Sequence, residues 1–261
     1  MLHLLSHFFT QKVRSDYNSI AESFSGTRET AWPGWELIKK YFSKDRTVLD
    51  IGCGNGRLSQ AFLFKSYLGV DISEELIKIA KEKYEDKSKG ISFQNGSFLS
   101  LPSSIKPTSS TDSSSNSSTL PIDSSTSKFN IIVSIAAFHH LPSPNDRKKT
   151  LENIHSSLKK DGIFIFSVWN LLHMEKYIPE KKKALLRSIL TLGMIHHRDL
   201  LIPWRKGLNK RNRYYYVFKL EEVEKLLKNA DFELIETIFE KNGKKVAIKE
   251  AHNIYFICRK K

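Results

Sequence analysis

Cysteine is scarce in this sequence: the 261 residues include only two, Cys53 and Cys258. Two thiols cannot form a zinc site on their own, and they cannot supply the disulfide framework that holds small secreted domains together. We therefore expect a reduced, cytoplasmic protein without a metal site.

Long apolar runs are missing as well, since no stretch approaches the ~20 residues that a membrane-spanning helix needs. The first nine residues lack the basic region and the small-residue cleavage site of a signal peptide. Hydrophobic residues nevertheless make up 40% of the chain, which is enough for a full core at this length. We expect one domain over residues 1–261, with room for a small insertion and no contact with a membrane.

Acidic residues are few compared with basic ones: 28 Asp and Glu against 42 Lys and Arg give a formal charge of +14. Residues 171–261 hold 21 basic and 11 acidic residues, so a net +10 lies in the last third. Such an excess favours phosphate-bearing partners. Lysine-rich, solvated helix faces would give the same composition, so charge alone leaves both readings open.

The most informative motif is residues 48–56, which read VLDIGCGNG. The apolar residues around Asp50 predict a buried strand, and three glycines at alternate positions predict a tight turn onto the N-terminus of a helix. Such a turn lets backbone N–H groups approach a ligand closely. Asp71 ends the next strand, where a carboxylate can accept hydrogen bonds from the hydroxyls of a ribose. The pattern predicts a site for a nucleoside cofactor.

The spacing of these glycines disfavours two common cofactor motifs. The dinucleotide fingerprint requires a third glycine three residues after the second, and Arg57 stands there. No Gly-Lys-Ser/Thr follows, so a phosphate loop of the nucleotide-hydrolase type is excluded.

Hydrophobic periodicity predicts N-terminal helices within residues 1–42, the second from Pro33 to Phe42, and then alternating strands and helices. The predicted strands are 47–51, 66–70, 91–93, 129–134, 163–169, 232–239 and 252–259, and the predicted helices are 56–64, 74–84, 146–159 and 220–229. This order predicts an α/β fold with a doubly wound, Rossmann-like sheet whose last two strands are an antiparallel pair.

Two segments interrupt the alternation. Residues 103–127 are rich in Ser and Thr and contain almost no apolar residues, so we expect a disordered loop inserted within the domain. Residues 170–216 are basic and aromatic, and we expect them to form an insertion on the substrate side of the sheet.

The glycine turn together with Asp71 resembles motif I of the class I S-adenosylmethionine (SAM) methyltransferases, which reads Asp-x-Gly-x-Gly-x-Gly. The resemblance implies a SAM cofactor, the class I methyltransferase sheet and a ribose-binding role for Asp71. Asn95-Gly96 stands where that family usually has Asp-Gly near the adenine. The cofactor-binding residues that this resemblance implies are Asp50, Gly52, Gly54, Gly56, Asp71, Ile72, Asn95, Gly96 and Ser134.

Further patches resemble one branch of this superfamily, the methyltransferases that act on a carboxymethyl group of the tRNA wobble uridine. These patches are residues 17–28 with Trp32-Pro33 after them, residues 134–140, Pro203-Trp204, and Arg213-Tyr214-Tyr215 with Phe218. The paired histidines His139 and His140 are widespread among SAM methyltransferases and discriminate little. Eukaryotic members of the resembled family work with a small zinc-binding activator subunit, so such a partner is implied here. Segment 171–201 has no counterpart that we can place.

Methyl transfer to a carboxylate needs positioning more than acid–base chemistry, because the acceptor is already ionised at neutral pH. Arg28 is the candidate to hold an acceptor carboxylate or a phosphate by a bidentate contact. His139 and His140 are candidates to orient the acceptor, although a structural role for one of them fits equally well. The residues expected to contact RNA are Trp204, Arg205, Lys206, Arg211, Arg213 and Tyr214, where cations and aromatic rings occur together. We expect Trp169 to pack in the core instead.

Three functions are consistent with these observations. The first is a SAM-dependent methyltransferase acting on a wobble uridine of tRNA, and the second is a SAM-dependent methyltransferase of a small metabolite such as a quinone or lipid precursor. The third is a SAM-fold protein that binds RNA or a partner without catalysis. The basic last third and the Tyr-Asn…Thr-Arg opening favour the first, and the intact glycine turn with Asp71 disfavours the third. The sequence does not indicate the oligomeric state.

Overall fold

The computed structural model describes residues 2–101 and 129–261. The Ser/Thr-rich segment, expected to be a disordered loop over 103–127, lies outside the described residues. The helices are α1 Leu2–Gly26, α2 Glu74–Tyr84, α3 Pro144–Ser157, α4 Ile178–Leu190 and α5 Leu220–Asn229. The strands are β1 Thr47–Ile51, β2 Ser66–Asp71, β3 Ile91–Asn95, β4 Phe129–Ile135, β5 Leu158–Trp169, β6 Asp199–Trp204, β7 Arg211–Tyr216, β8 Phe232–Lys241, β9 Lys244–Lys245 and β10 Asn253–Lys260.

The main sheet has eight strands in the order β3-β2-β1-β4-β5-β10-β8-β9. Strands β1 to β5 pair in parallel, and β10 lies antiparallel between β5 and β8. This arrangement confirms the predicted α/β sheet with its terminal antiparallel pair. Strand order reverses beside β1, so the ligand crevice of such a sheet is expected at the carboxyl ends of β1 and β4.

Alternate side chains of the strands enter two different apolar clusters. In β1, Leu49 and Ile51 join the cluster that includes residues of α1, α3 and α5, whereas Val48 joins the cluster of Trp35 and Ile38. Because successive side chains of a strand point to opposite faces, both faces of the sheet are covered.

Helix α1 is a single helix of 25 residues that packs against β7 and α2. The helix predicted over 33–42 is wrong: the chain forms two short 3₁₀ helices, Pro33–Leu37 and Lys39–Tyr41. Buried Trp35 and Ile38 hold this segment against the sheet. Trp35 and Ile38 contact the sheet separately, whereas a regular helix would bury a continuous row of apolar side chains.

The basic segment 170–216 forms helix α4 and a separate antiparallel hairpin of β6 and β7. The hairpin packs against α1 through β7. Apolar residues from both of its strands, Leu200, Ile202 and Tyr215, form a third cluster with Ala184 of α4. The insertion therefore forms ordered structure beside the cavity at the carboxyl edge of the parallel strands.

Candidate functional site

The glycine turn follows β1 with a left-handed backbone at each glycine: φ is +76° at Gly52, +57° at Gly54 and +79° at Gly56. A Cβ added to Gly52 would lie 2.4 Å from the Cβ of Ala137. Only glycine satisfies both the backbone angle and this close approach. The backbone of the turn is therefore fixed in this conformation, and a ligand can approach it without meeting a side chain there.

The helix predicted over 56–64 is wrong, because only Arg57–Gln60 is helical and it is a single 3₁₀ turn. Two aromatic residues of this segment pack against aromatic residues outside it. Phe62 stacks on Phe42 with ring centroids 4.0 Å apart, and Phe64 lies against Tyr67 of β2. The backbone N–H groups of Gly52 and Cys53 donate to the carbonyl of Val70, and that of Gly56 donates to the carbonyl of Cys53. The turn therefore offers a ligand close approach to its backbone.

Asp71 connects the glycine turn to the start of α2. Its Oδ2 accepts a hydrogen bond from the backbone N–H of Gly54 at 2.8 Å, and its Oδ1 accepts one from Ser73 at 2.9 Å. Burial raises the pKa of this carboxyl, and the two backbone donors oppose that shift. Each oxygen keeps a lone pair, so the carboxylate can still accept hydrogen bonds from a diol.

Asp50 is the second carboxyl at this edge, and it is buried. The hydroxyl of Tyr67 donates to its Oδ2 at 2.6 Å. Burial, reinforced by the nearby negative charge of Asp71, raises the pKa of Asp50 to about 7 in spite of that hydrogen bond. A cationic group bound beside Asp50 would restore its ionisation.

One cavity opens at the carboxyl edge of the sheet, and most of the residues expected to bind the cofactor line it. These are Asp50, Gly52, Gly54, Asp71, Ile72 and Gly96. The other three residues lie beside it. Asn95 donates to the backbone carbonyls of Asp71 and Ile72, Gly56 packs against Phe93, and Ser134 is buried within β4.

Two arginines line the far side of the same cavity, Arg28 after α1 and Arg213 on β7. The guanidinium of Arg28 lies 3.6 Å from the centroid of the Phe24 ring and 5.7 Å from that of Trp204. The guanidinium of Arg213 lies 4.8 Å from the Trp204 ring and 5.2 Å from the Tyr215 ring. The two charges therefore flank one tryptophan.

Arg213 is only 4% exposed, and its Nε and Nη1 have no hydrogen-bond partner within residues 2–101 and 129–261. Arg28 uses Nη1 on the side-chain oxygen of Thr27 and on the Phe24 carbonyl. Neither arginine forms an ion pair with a described carboxylate. A buried guanidinium is stable only when something accepts its hydrogen bonds, so this part of the cavity is built for an anion.

The paired histidines are held as neutral rings. His140 lines the cavity, with Nδ1 2.6 Å from the carbonyl of Tyr214 and Nε2 2.9 Å from the hydroxyl of Tyr17. Because Nδ1 must donate to the carbonyl, Nε2 accepts from the tyrosine. Burial lowers the pKa of His140 to about 3 and that of His139 well below its usual range.

His139 lies deeper, 1% exposed, and its Nδ1 accepts the backbone N–H of Trp169 at 3.3 Å. It is not among the residues that line the cavity. Of the two histidines, only His140 can face a ligand there, and both of its nitrogens already have partners.

Trp204 is more buried than expected, whereas Trp169 packs against the third apolar cluster as expected and also reaches the cavity. Trp204 is 8% exposed and donates from Nε1 to Ser23 of α1 at 3.0 Å, because α1 lies over the hairpin. Trp169 ends β5 at the cavity edge, where it is half-buried and stacks on Tyr215 with centroids 4.9 Å apart.

The remaining residues expected to contact RNA separate into two groups. Arg205, Lys206 and Arg211 are exposed at the turn of the β6–β7 hairpin. Tyr214 is fully buried, and its hydroxyl donates to Asp199 at 2.7 Å. Sequence reasoning did not assign Tyr17, Tyr215, Trp32, Trp35 or Arg57 to the site, although all of them line the cavity.

Two further features of the described residues bear on the class of protein. Among residues 2–101 and 129–261, no helix has the length and apolar character to cross a bilayer. The same residues contain no group of three His, Cys, Asp or Glu side chains that could hold a metal ion.

Comparison with known proteins gives one family and several relatives. A family model described as a methyltransferase domain matches residues 28–237. The tRNA (carboxymethyluridine(34)-5-O)-methyltransferase of Schizosaccharomyces pombe is 24% identical to this chain, and the aligned region covers 88% of this chain and 92% of that enzyme. The enzyme of that name from Xenopus tropicalis, alkbh8, is 25% identical over 76% of this chain, which spans only 31% of that protein.

Two further matches are to proteins with other names. A carboxy-S-adenosyl-L-methionine synthase of Nautilia profundicola is 26% identical over 80% of this chain and 78% of its own length. A crystal structure of a SAM-dependent methyltransferase from Methanosarcina mazei superposes with a TM-score of 0.59 at 19% identity, covering 86% of this chain and 96% of that one. The structural match supports the fold described above.

Proposed function

This chain belongs to the methyltransferase domain family and is an enzyme that uses S-adenosylmethionine, and on that basis we propose that it methylates a carboxymethyl group on the wobble uridine of tRNA. The observation that carries the proposal is the pair of arginines, Arg28 and Arg213, without a carboxylate partner among the described residues. They face a cavity walled by aromatic rings. An acceptor with a carboxylate on a planar base would match both features.

The residues of the glycine turn fit the cofactor. Gly52 and Gly54 leave backbone space, Asp71 has free lone pairs for the ribose hydroxyls, and Asp50 can balance the ammonium of the methionine part. SAM, when bound, supplies an electrophilic methyl group. We propose that the other residues expected to bind the cofactor position the loops around it; these are Ile72, Gly96, Gly56, Asn95 and Ser134.

The neutral histidines also agree with a carboxylate acceptor. An amine or hydroxyl acceptor must lose a proton during transfer, and a base for this would need a pKa near neutrality. The pKa of His140 is about 3, and its two nitrogens are held by Tyr214 and Tyr17. A carboxylate is ionised already and needs only to be placed in line with the methyl group. His140 is then a positioning residue at the acceptor, and His139 supports it through the backbone of Trp169.

We assign the two arginines complementary parts. Arg213 binds the acceptor carboxylate, since Nε and Nη1 of its buried guanidinium have no partner among the described residues and a planar guanidinium can contact a carboxylate bidentately. Arg28 lies on the Phe24 ring, whose Cε1 is 3.5 Å from the position of a Cβ on Gly54. The ring that carries Arg28 therefore also adjoins the glycine turn, and Arg28 adds positive charge to the cavity beside Arg213.

The exposed turn of the β6–β7 hairpin supplies the RNA-binding surface in this proposal. Arg205, Lys206 and Arg211 carry positive charge there, although Nε of Arg211 also lies 4.0 Å from Oδ1 of Asp16. Phosphate contacts of this kind position RNA without reading its sequence. Trp204 and Tyr214 act indirectly, by holding the hairpin against α1 and the core.

A small-metabolite substrate is the alternative, and the similarity to the Nautilia synthase is the observation in its favour. That relative is named for a product built on SAM itself. The exposed cations of the hairpin turn have no role in a reaction of that kind, so we favour tRNA.

The experiment is transfer of labelled methyl groups from SAM to tRNA carrying 5-carboxymethyluridine, followed by nucleoside mass spectrometry. We expect a methyl ester on that nucleoside and loss of the label from the acid-insoluble fraction after nuclease digestion. Arg213→Gln should reduce kcat/KM for this tRNA by roughly 100-fold, as expected for loss of a buried bidentate contact, and Arg213→Lys should recover part of it. Label that is extracted into organic solvent instead would support the small-metabolite alternative.

Three further parts of the proposal concern the whole protein. We propose a single methyltransferase domain over residues 1–261, a cytoplasmic location, and assistance by a small zinc-binding activator subunit. Co-expression with such a subunit should raise the activity and solubility of the chain if it has this partner. Unchanged activity and solubility would remove that partner from the proposal.

A further inference from the structure

A third arginine, Arg57, lines the cavity, and the roles proposed above do not include it. It follows Gly56 in the single 3₁₀ turn, and its Nη1 donates to the carbonyl of Thr30 at 2.9 Å. Its guanidinium lies 5.3 Å from the ring centroid of Trp32 and 5.3 Å from that of Trp35. Two indoles thus hold the charged group in place.

No described carboxylate forms an ion pair with Arg57. Burial, together with the positive charge of Arg28, lowers its pKa to about 10. A guanidinium that is desolvated beside another cation costs free energy unless an anion joins it. The chain supplies no such anion at this position within the described residues.

Trp35 adds a second, independent sign of a missing acceptor. It lines the same cavity and is only 5% exposed, and its indole Nε1 has no hydrogen-bond partner in the part of the chain that the structure describes. An indole N–H can only donate. A buried indole donor and a guanidinium without a counter-charge therefore adjoin one part of the cavity, and both need an acceptor.

This group is distinct from the one around Arg213. Arg213 contacts the rings of Trp169, Trp204 and Tyr215, which belong to β5 and the hairpin. Arg57 contacts Trp32 and Trp35, which precede β1. The cavity therefore has cationic positions contributed by two different parts of the chain.

We propose that Arg57 and the indole N–H of Trp35 form a second subsite, which binds a backbone phosphate next to the acceptor nucleoside. This inference rests on the proposed function, because it assumes that the acceptor is part of an RNA chain. A phosphate has several acceptor oxygens, so it can take a hydrogen bond from each of the two groups. The enzyme then distinguishes a nucleotide within RNA from a free nucleoside inside the cavity itself, before any contact with the exposed hairpin turn.

The test compares two acceptors, an anticodon stem-loop RNA with 5-carboxymethyluridine at the wobble position and the free nucleoside 5-carboxymethyluridine. Arg57→Gln should raise KM for the RNA by roughly 10- to 100-fold with kcat within about threefold, while kcat/KM for the nucleoside stays within about twofold. Arg57→Lys should recover part of the RNA effect, because it keeps the charge and loses the fork.

Binding without turnover gives a second readout. The anisotropy of the labelled stem-loop should show a slope of log Kd against log salt that is smaller by about 0.7 to 0.9 in Arg57→Gln. Lys160→Gln is the matched control, since Lys160 is exposed near the start of β5, away from the cavity at its carboxyl end, and it removes the same charge. Its slope and KM should equal those of the wild type.

Each other outcome has a definite meaning. An unchanged KM and salt slope in Arg57→Gln would overturn the subsite and leave the proposed function intact. A tenfold loss of S-adenosylhomocysteine affinity in calorimetry would overturn it too, because Arg57 would then serve the cofactor carboxylate. RNA binding that depends on Arg57 without any methyl transfer would retain the subsite and refute the proposed function. Failure of the wild type to bind the stem-loop would refute both.

Discussion

Replacing Asp71 by Asn changes one carboxylate oxygen of the cofactor site to an NH₂ group and leaves the shape of the side chain almost unchanged. In the native site, each carboxylate oxygen accepts one backbone N–H, from Gly54 at 2.8 Å and from Ser73 at 2.9 Å. An amide has one oxygen and one NH₂ group, so only one of these donors keeps an acceptor. The other N–H then faces a donor.

The size of the effect follows from this geometry. A hydrogen bond to a charged acceptor contributes ~1.5–3 kcal/mol, and the variant loses such a bond to one ribose hydroxyl and weakens the second. A total of about 3–4 kcal/mol corresponds to a rise in Kd for the cofactor of roughly 100- to 1,000-fold. Stability should change far less, because burial raises the pKa of Asp71 and a neutral amide avoids that desolvation cost.

Isothermal titration with S-adenosylhomocysteine measures the affinity, and thermal unfolding without ligand checks the fold. Asp45→Asn is the matched control, because Asp45 is an exposed aspartate just before β1. It should bind like the wild type. If Asp71→Asn is folded and binds the product within about threefold of the wild type, then Asp71 does not hold the ribose and the cofactor geometry described above is wrong.

Three further predictions concern stability and shape. Asp50 has a folded-state pKa of about 7, above its ordinary value near 4, so the stability linked to its proton is present at low pH and lost as pH rises through about 7. Asp50→Asn should therefore raise the free energy of unfolding by about 2–4 kcal/mol at pH 8 and change it little at pH 4. Urea denaturation at the two pH values measures this difference. Gly52→Ala places a Cβ 2.4 Å from that of Ala137 at φ +76°, so cofactor affinity should fall at least ~10-fold in calorimetry, and unchanged affinity would contradict the role of the turn. Tyr214→Phe removes a buried hydrogen bond to Asp199 and should lower the unfolding free energy by ~1–3 kcal/mol, with no change in the salt dependence of RNA binding.

The strands and the cofactor loop could be predicted from the sequence because their signals are local. A buried strand shows as a continuous apolar run, and a left-handed turn shows as glycine at each position that needs it, as at Gly52 and Gly54. Asp71 follows from its place at the end of the next strand. The order of strands and helices then limits the topology to a doubly wound sheet.

The acceptor side could not be predicted in the same way, because its contacts are not local. Arg213 is enclosed by rings from β5, β6 and β7, and nothing in the basic stretch around it distinguishes this arginine from exposed Arg211. The burial of a tryptophan at a strand end is hard to predict for a related reason. Such a residue faces the cavity or the core depending on which element packs over it. Here α1 covers Trp204, and Trp169 lies at the cavity edge.

The helix expected after the glycine turn shows a different limit. Residues 56–64 have apolar residues at helical spacing, but Phe62 and Phe64 find aromatic partners in Phe42 and Tyr67. Tertiary contacts outweigh the local preference after one turn. That early end leaves Arg57 at the cavity instead of on the solvent face of a longer helix.

The division of the cavity between two parts of the chain has a consequence for how its specificity could be altered. The groups assigned to the cofactor lie between residues 50 and 96, with Ser134 on β4 in addition. The rings and the two arginines proposed to surround the acceptor come largely from α1 and the residue Arg28 after it, the end of β5 and the β6–β7 hairpin. Among the described residues the hairpin is a sheet of its own and shares no strand hydrogen bonds with the main sheet. Trp204 and Tyr214 hold it against α1 and the core, so substitutions at its cavity-lining residues Arg213 and Tyr215 should change the acceptor while the groups around the methyl donor stay in place.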